Sequence, residues 1–383
     1  MTDKQCINCG GCAMRELNEE QYRQTKISDF KNTLGQIKNT APVYDEPIFV
    51  PDGQRRRADL EFSYEKQILK LGFNEQATHN LIDINICPML DTLLNNLLEP
   101  LHRFLTEFCR IPITHKSKKK LTTVYIHTGS VQLLHADNGV DILLKLDTEP
   151  GLEHRLLVAD FINTMPDVCR LSWEIKHKPA ETVTEKFSPE LYIAGYTVKI
   201  PQGVFLQASK IAETEMINKV LEYMGDTRGK IADLFCGLGT FTYPLAKEKV
   251  NEIISVDSFA PSLKGLEAAL NFNQIHNVTV INKNLFKYPF DADELKDIKA
   301  LVIDPPRAGA HEQCREITKI PADKRPSKIV FVSCNPKTFV YDAKMLIGAG
   351  YSFSRVTFID QFVYSKHEEL IALFKLTPKA KGE

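Results

Sequence analysis

The stretch KIADLFCGLGTF, Lys230 to Phe241, decides the fold. It describes a strand that closes on an acidic residue and Leu234, a Gly-x-Gly turn, and the start of a helix. Upstream, Gly203-Val204-Phe205-Leu206-Gln207 lies just before a helical pattern around Ile211–Met224. Downstream, a second strand, Glu252–Val256, ends in Asp257, and a third, Val278–Asn282, leads to Asn284. A fourth, Ala300–Ile303, ends in Asp304-Pro305-Pro306-Arg307. Strands and helices alternate, and polar residues close the strands. This order predicts an α/β, doubly wound Rossmann-like sheet with its site across the carboxyl ends of the strands.

Further along, IVFVSCNPKTF spans Ile329 to Phe339. Ile329–Ser333 has the β-branched and aromatic character of a buried strand, and Asn335-Pro336 forces a turn before the next helix. Cys334 is thereby placed where a strand ends. Lys366-His367-Glu368-Glu369 precedes another apolar strand, Leu370–Phe374. A thiol and a set of acid/base candidates thus come from the ends of two late strands. Cys334 as a small apolar filler is the plain alternative.

Gly-x-Gly is shared by dinucleotide binders and methyltransferases. A dinucleotide site wants a third glycine soon after Gly239, to seat a pyrophosphate on the helix N-terminus. Phe241, Thr242 and Tyr243 stand there instead. Asp257 suits the two hydroxyls of a ribose. S-adenosylmethionine, which has a ribose and no phosphate, fits better than NAD.

The first half is of another kind. Cys6, Cys9 and Cys12 lie at two-residue spacings around Gly10-Gly11. Such spacing lets sulfurs converge on structural zinc or an iron–sulfur cluster, with Cys87 before Pro88 as the fourth ligand. Glu20 to Ile37 predicts one exposed helix. From Pro47 short strands follow in a meander-like order, around an amphipathic helix, Asp91–Phe108, that Pro100 kinks or breaks. Arg55-Arg56-Arg57 and the run His115 to Lys120 could contact phosphates, or be solvated turns.

The chain has 383 residues, 43% apolar content and a net charge of −1, so any nucleic-acid contact must come from local patches. No apolar run is long enough for a membrane helix, and the N-terminus has no signal-peptide pattern. A cytoplasmic location with nine mostly reduced cysteines is expected.

Several motifs together resemble the RNA 5-methyluridine methyltransferase family. They are GVFLQ, DLFCGLGTF, the acid at Asp257, NLF at Asn284, IDPPRAG, VSCNP and HEEL, covering Val204 to Phe374. The resemblance implies a class I methyltransferase domain over 192–383 and a smaller α+β RNA-binding domain over 46–191. A Cys-rich segment and helix occupy 1–45. It implies Cys334 as nucleophile and Glu369 as general base, with Glu368 left open by the alternation of a strand. Gln207, Phe235, Thr240, Asp257, Asn284 and Asp304 fall where the family places cofactor and site residues, although Thr240 replaces the Asn of some relatives. Cys6, Cys9, Cys12 and Cys87 resemble the ligands of members that hold a [4Fe-4S] cluster, with the first two more closely spaced here. The implied reaction is S-adenosylmethionine-dependent methylation of carbon 5 of a uridine in 23S ribosomal RNA by a monomer. Transfer RNA, an amino-group methyltransferase and a non-catalytic iron–sulfur RNA-binding protein are the alternatives. For the thiol to attack, its pKa is expected to be lowered locally, and that of Glu369 to be raised.

Overall fold

The structure, a computed structural model, describes residues 9–75, 78–117, 120–176 and 178–377. Cys6 and, from the basic run, Lys118 and Lys119 lie outside them. In chain order come helix α1 (Glu19–Leu34) and strands β1 (Val43–Tyr44), β2 (Ile48–Phe49), β3 (Arg57–Glu65), β4 (Ile68–Asn74) and β5 (Leu81–Asp83). Helix α2 (Thr92–Arg110) and the hairpin of β6 (Ile113–Ser117) and β7 (Lys120–Val124) follow. Then come β8 (Thr128–Ala136), β9 (Gly139–Leu146), α3 (Leu152–Thr164), β10 (Val168–Ile175) and β11 (Glu181–Glu185). The short pair β12 (Glu190–Ile193) and β13 (Tyr196–Lys199) leads to α4 (Lys210–Met224) and β14 (Lys230–Leu234). Next are α5 (Thr242–Ala246), β15 (Glu252–Asp257), α6 (Ala260–Phe272) and β16 (Val278–Asn282). Last are β17 (Ile298–Ile303), α7 (His311–Lys319), β18 (Lys328–Ser333), α8 (Pro336–Gly348), β19 (Tyr351–Asp360) and β20 (Glu369–Leu376).

The chain forms two compact units. The first takes the chain up to Ala13, Pro51–Tyr192 and Lys199–Lys210. Its seven-stranded sheet has the order β11-β10-β9-β8-β3-β4-β5. The pairs are antiparallel except β9 with β10, which are parallel and joined through α3. A meander is therefore broken by one helical crossover, because parallel neighbours cannot be joined by a tight turn. Helix α2 begins at Asp91, whose side chain accepts from the Leu94 N–H at 2.9 Å. It continues as one helix through Pro100, so of the expected kink or break the break does not occur. An interior proline costs about 3 kcal/mol. Eight residues of α2 are buried, among them Leu94, Leu97, Leu101 and Leu105. At about 1.5–3 kcal/mol for each large apolar side chain, their packing outweighs the proline.

The second unit takes Met14–Val50, Ile193–Val198 and the described chain from Ile211 onward. Its sheet runs β1-β19-β20-β18-β17-β14-β15-β16, with β2 also paired to β19. β16, β15, β14, β17 and β18 are mutually parallel, and β20 runs antiparallel between β18 and β19. The chain leaves β14 in one direction through β15 and β16, then returns to β17 on the other side of β14. That reversal is a topological switch point, where open α/β sheets bind their ligands.

Helix α1 is not an exposed helix. Tyr22, Lys26, Phe30 and Leu34 are buried at four-residue spacing. Phe30 and Leu34 join Phe331, Phe339, Phe358 and Phe374 in one apolar cluster of this unit. Charged residues on the other faces of α1 masked the stripe, and a buried lysine within it removed the apolar period from view.

Candidate active site

Two groups of residues gather at the carboxyl edge of the second sheet. The first surrounds the Gly-x-Gly turn. Phe235, directly after β14, has φ +63°, and Gly237 and Gly239 have φ +54° and +98°. A Cβ on Gly239 would lie 2.8 Å from Leu266 and 2.9 Å from the Tyr243 ring, so glycine is required there for the turn to close on α5 and α6. A Cβ on Gly237 would meet nothing within 4 Å. That open space adjoins Asp257: the Gly237 N–H donates to its Oδ2 at 3.0 Å, and Ser258 and Phe259 N–H groups donate to Oδ1 at 2.7 and 2.8 Å. Asn284 accepts from the Phe286 and Lys287 N–H groups at 3.0 and 3.2 Å. The resulting turn sets the Phe286 ring 5.4 Å from that of Phe235. Thr240 is half-buried at the end of the same turn. Below it, Asp233 is fully buried, accepts from the Thr242 hydroxyl at 2.6 Å, and is pushed up to about 7 by burial. Cys236 is buried under the turn.

An anchored carboxylate beside open space, at the same sheet edge as a pair of aromatic rings, fits S-adenosylmethionine. Asp257 could accept from ribose hydroxyls, and Phe235 and Phe286 could offer apolar surface to a purine.

The second group contains the thiol. β18 ends at Ser333, and Cys334 is the next residue, half-buried. Asn335 caps α8, accepting from the Lys337 N–H at 3.2 Å and donating to the Arg307 carbonyl at 3.0 Å. The loop after β17 is thus tied to the loop that carries the thiol. Ser333 pairs with Leu370 across β18 and β20, so Cys334 and Glu369 are opposed at the same edge. Glu369 is only 2% exposed, and its Oε2 accepts from Gln361 Nε2 at 2.7 Å.

Electrostatics bind this group together. Burial, with repulsion from Asp304, pushes Glu369 up to about 8. Burial, with repulsion from Asp233 and Asp257, pushes Asp304 up to about 7. Cys334 is pushed up to about 12 by burial, then by Glu369 and Asp304, while Arg307 pulls it down. The expected local lowering of the thiol is therefore absent: burial, joined by two carboxyls, outweighs one guanidinium. Glu368 is also pushed up, to about 7, by burial, but the charges acting on it are Lys26, Asp29, Asp360 and Lys337. Glu369 is the one coupled in charge to Cys334 and Asp304, whereas Glu368 meets the thiol only as part of the cleft beside it. A cleft beside the thiol is lined by Arg307, Cys334, Lys337, Lys366, His367 and Glu368, among others.

The remaining sequence candidates belong to the first unit. Gln207 is buried there, its carbonyl accepting from Arg56 Nε at 3.1 Å. Cys9 and Cys87 are each half-buried, as is Cys12. Asn95 pins the Cys87 loop, accepting from the Cys87 N–H at 2.8 Å and donating to its carbonyl at 2.9 Å. Among the described residues no three metal-ligating side chains come together as a metal site. Gln361 is a site residue that sequence reasoning missed, and no local signal marks a glutamine eight residues before its partner. Arg307 was visible within the DPPR motif but carried no role.

Residues 180–376 match the family described as tRNA (Uracil-5-)-methyltransferase. A Caulobacter vibrioides protein described as an RNA methyltransferase is 34% identical over 372 residues, covering 96% of this chain and 83% of that protein. The 23S rRNA (uracil(1939)-C(5))-methyltransferase of Aeromonas hydrophila is 26% identical over 373 residues, covering 96% and 80%. In structure, the chain is similar to the Pyrococcus abyssi tRNA (uracil-54, C5)-methyltransferase solved with S-adenosyl-L-homocysteine. The TM-score is 0.69 at 22% identity, covering 96% of this chain and 86% of that one. That likeness, together with the family match over residues 180–376, identifies the fold of the second sheet as that of a class I methyltransferase. The chain belongs to the tRNA (uracil-5-)-methyltransferase family of RNA methyltransferases.

Proposed function

We propose that the chain methylates carbon 5 of a uridine in RNA, using S-adenosylmethionine and a covalent link to Cys334. The observation that carries this reading is the meeting of Cys334, Glu369 and Asp304 at one sheet edge, beside a turn built for a ribose. Carbon 5 of uracil is too weak a nucleophile to take a methyl group unaided. Cys334 gives up its proton to water in the cleft, and its thiolate bonds to carbon 6, sending the ring electrons toward carbon 5 and the carbonyl oxygen. Arg307 favours that thiolate, and Asp304 is placed to orient the uracil amide edge. S-adenosylmethionine supplies the electrophilic methyl group, held by Asp257, Asn284, Phe235 and Thr240. The Glu369 carboxylate then removes the carbon 5 proton. The freed electron pair restores the ring double bond and expels Cys334 as thiolate, and Glu369 passes its proton to water. A carboxylate whose pKa is near 8 is a stronger base than an ordinary one, and the fraction of Glu369 ionised and able to act grows as pH rises toward that value.

The cationic cleft, with Arg307, Lys337 and Lys366, supports a polyanionic substrate. 23S ribosomal RNA is favoured because the relative from Aeromonas hydrophila acts on it. Transfer RNA is the second reading, favoured by the family description. For Cys6, Cys9, Cys12 and Cys87 a [4Fe-4S] cluster is supported by the sequence spacing. The Gly10 N–H to Asn74 carbonyl bond of 3.3 Å adds support, tying the Cys-rich head to the unit that carries Cys87. The described residues alone do not form that site, and no step of the reaction needs it. Iron and sulfide analysis of anaerobically purified protein tests it, with about four of each per chain expected.

The reaction is tested with transcripts carrying 5-fluorouridine, from which no carbon 5 proton can be removed. With S-adenosylmethionine, a denaturation-resistant protein–RNA adduct should form, and should be absent in Cys334→Ala. Mapping the adduct on ribosomal and transfer RNA names the substrate. Methylation of ordinary RNA with no adduct on either would overturn the thiol-first reading.

A further inference from the structure

Lys26 occupies an unusual place. It lies on α1, some 340 residues before the catalytic base in the chain, and is 1% exposed. A buried ammonium is costly unless each of its protons finds a partner. Its neighbours in the buried stripe are apolar or aromatic, and an apolar side chain of similar length would fill the same volume. The partners of Lys26 show what the charge is for. Its Nζ pairs with Asp360 Oδ1 at 3.2 Å, donates to the Ser365 carbonyl at 3.0 Å, and donates to the His367 carbonyl. Asp360 is the last residue of β19, and His367 stands two residues before Glu369. Lys26 therefore grips both ends of the segment 361–368, whose first residue, Gln361, is the hydrogen-bond donor to Glu369.

Tyr22, one turn earlier on α1, completes the grip. Its hydroxyl donates to Asp360 Oδ2 and accepts from the Tyr364 N–H at 2.8 Å. The Met14 N–H donates to the Tyr364 carbonyl at 2.9 Å. Most of these contacts go to main-chain groups of one short segment, so they fix its path whatever its side chains.

We propose that α1 is a clamp on the catalytic base: Lys26, helped by Tyr22, is a positioning residue that holds Gln361 and Glu369 in register with Cys334 for proton removal. The inference rests on the reading of Glu369 as that base. It predicts a selective lesion, because thiol addition and methyl transfer do not use Glu369, whereas release of the RNA does.

The test uses the full chain carrying Lys26→Met together with Asp360→Asn, which removes the grip without stranding a buried charge. Thermal unfolding and S-adenosylmethionine affinity report the fold. On ordinary uridine RNA in single turnover, the Cys334–RNA adduct should form at near the parent rate and then persist, with release about 10-fold or more slower and the RNA KM within about 3-fold. Tyr22→Phe, the milder change, should slow release about 3-fold and decides the matter if the double variant does not fold. Release at the parent rate in a folded variant, or equal loss of adduct formation and release, would overturn the clamp. Glu369→Gln, run in parallel, separates the two claims. If it traps the adduct and the clamp variants do not, only the clamp fails; if it does not trap, the assignment of the base fails first.

Discussion

Asp257 and Glu369 both sit at the carboxyl edge of one sheet, yet the protein treats them in opposite ways. Three main-chain N–H groups converge on Asp257, at 2.7 to 3.0 Å, and its neighbour Gly237 leaves open space beside it. Glu369 has one donor, the side chain of Gln361, and is buried beside a second carboxyl and a thiol. Main-chain donors hold an acid still and keep it available as an acceptor. Burial with few donors makes an acid reluctant to ionise and ready to take a proton. On the proposed reaction, the difference separates a binding carboxylate from a proton-transfer carboxylate, where the sequence shows both merely as acids beside strands.

The sharpest way to break the comparison is Glu369→Gln. Turnover should fall about 10²–10⁴-fold with S-adenosylmethionine affinity nearly unchanged, as steady-state kinetics and calorimetry would show. Asp257→Asn should do the reverse. Losing charged hydrogen bonds worth about 1.5–3 kcal/mol, it should weaken S-adenosylmethionine binding roughly 10- to 100-fold and leave kcat at saturation within about 3-fold. If both variants lose binding and turnover alike, the two ends do not have separate tasks.

Stability against pH gives a third, smaller effect. Glu369 holds its proton in the folded state up to about 8, and the unfolded chain releases it near 4.3. Between those values the folded state binds more protons, so stability falls as pH rises. Denaturant midpoints at pH 5 and pH 8 should show Glu369→Gln losing less stability over that interval than the parent, by about 1–3 kcal/mol. An equal or greater loss in the variant would show that burial does not control this carboxyl. The smallest effect belongs to Thr240→Ala, where S-adenosylmethionine affinity should change by less than about 3-fold, since Thr240 supplies one neutral hydroxyl at most. A larger loss would move the centre of binding away from Asp257.

Much of this was legible in the sequence. The Gly-x-Gly turn after a strand, the acids closing successive strands, and the cysteine before Asn335-Pro336 are local patterns, and each reports a local backbone event. β14 through β18 were readable for that reason. What stayed hidden depends on distant residues meeting. The raised Cys334 pKa comes first from burial and then from Glu369 and Asp304, and all three exist only once the strands have paired. The burial of α1 was hidden because Lys26 breaks its apolar period, and its partners lie more than 330 residues away. Pro100 misled in the other direction, since a local rule about helices gave way to eight buried side chains.

The place of β20 bears on how the molecule is made. It is an interior strand, hydrogen-bonded on both sides, to β18 and to β19. During synthesis β18 and β19 emerge first, and until Leu376 has been added each faces an empty slot with unpaired main-chain groups. The second unit thus cannot close its sheet on the ribosome until nearly all of the described chain has been translated, and Glu369 arrives with the strand that closes it. A ribosome that stops between Asp360 and Glu369 would release a chain with two open strand edges, a substrate for chaperones or proteases and never a half-working enzyme.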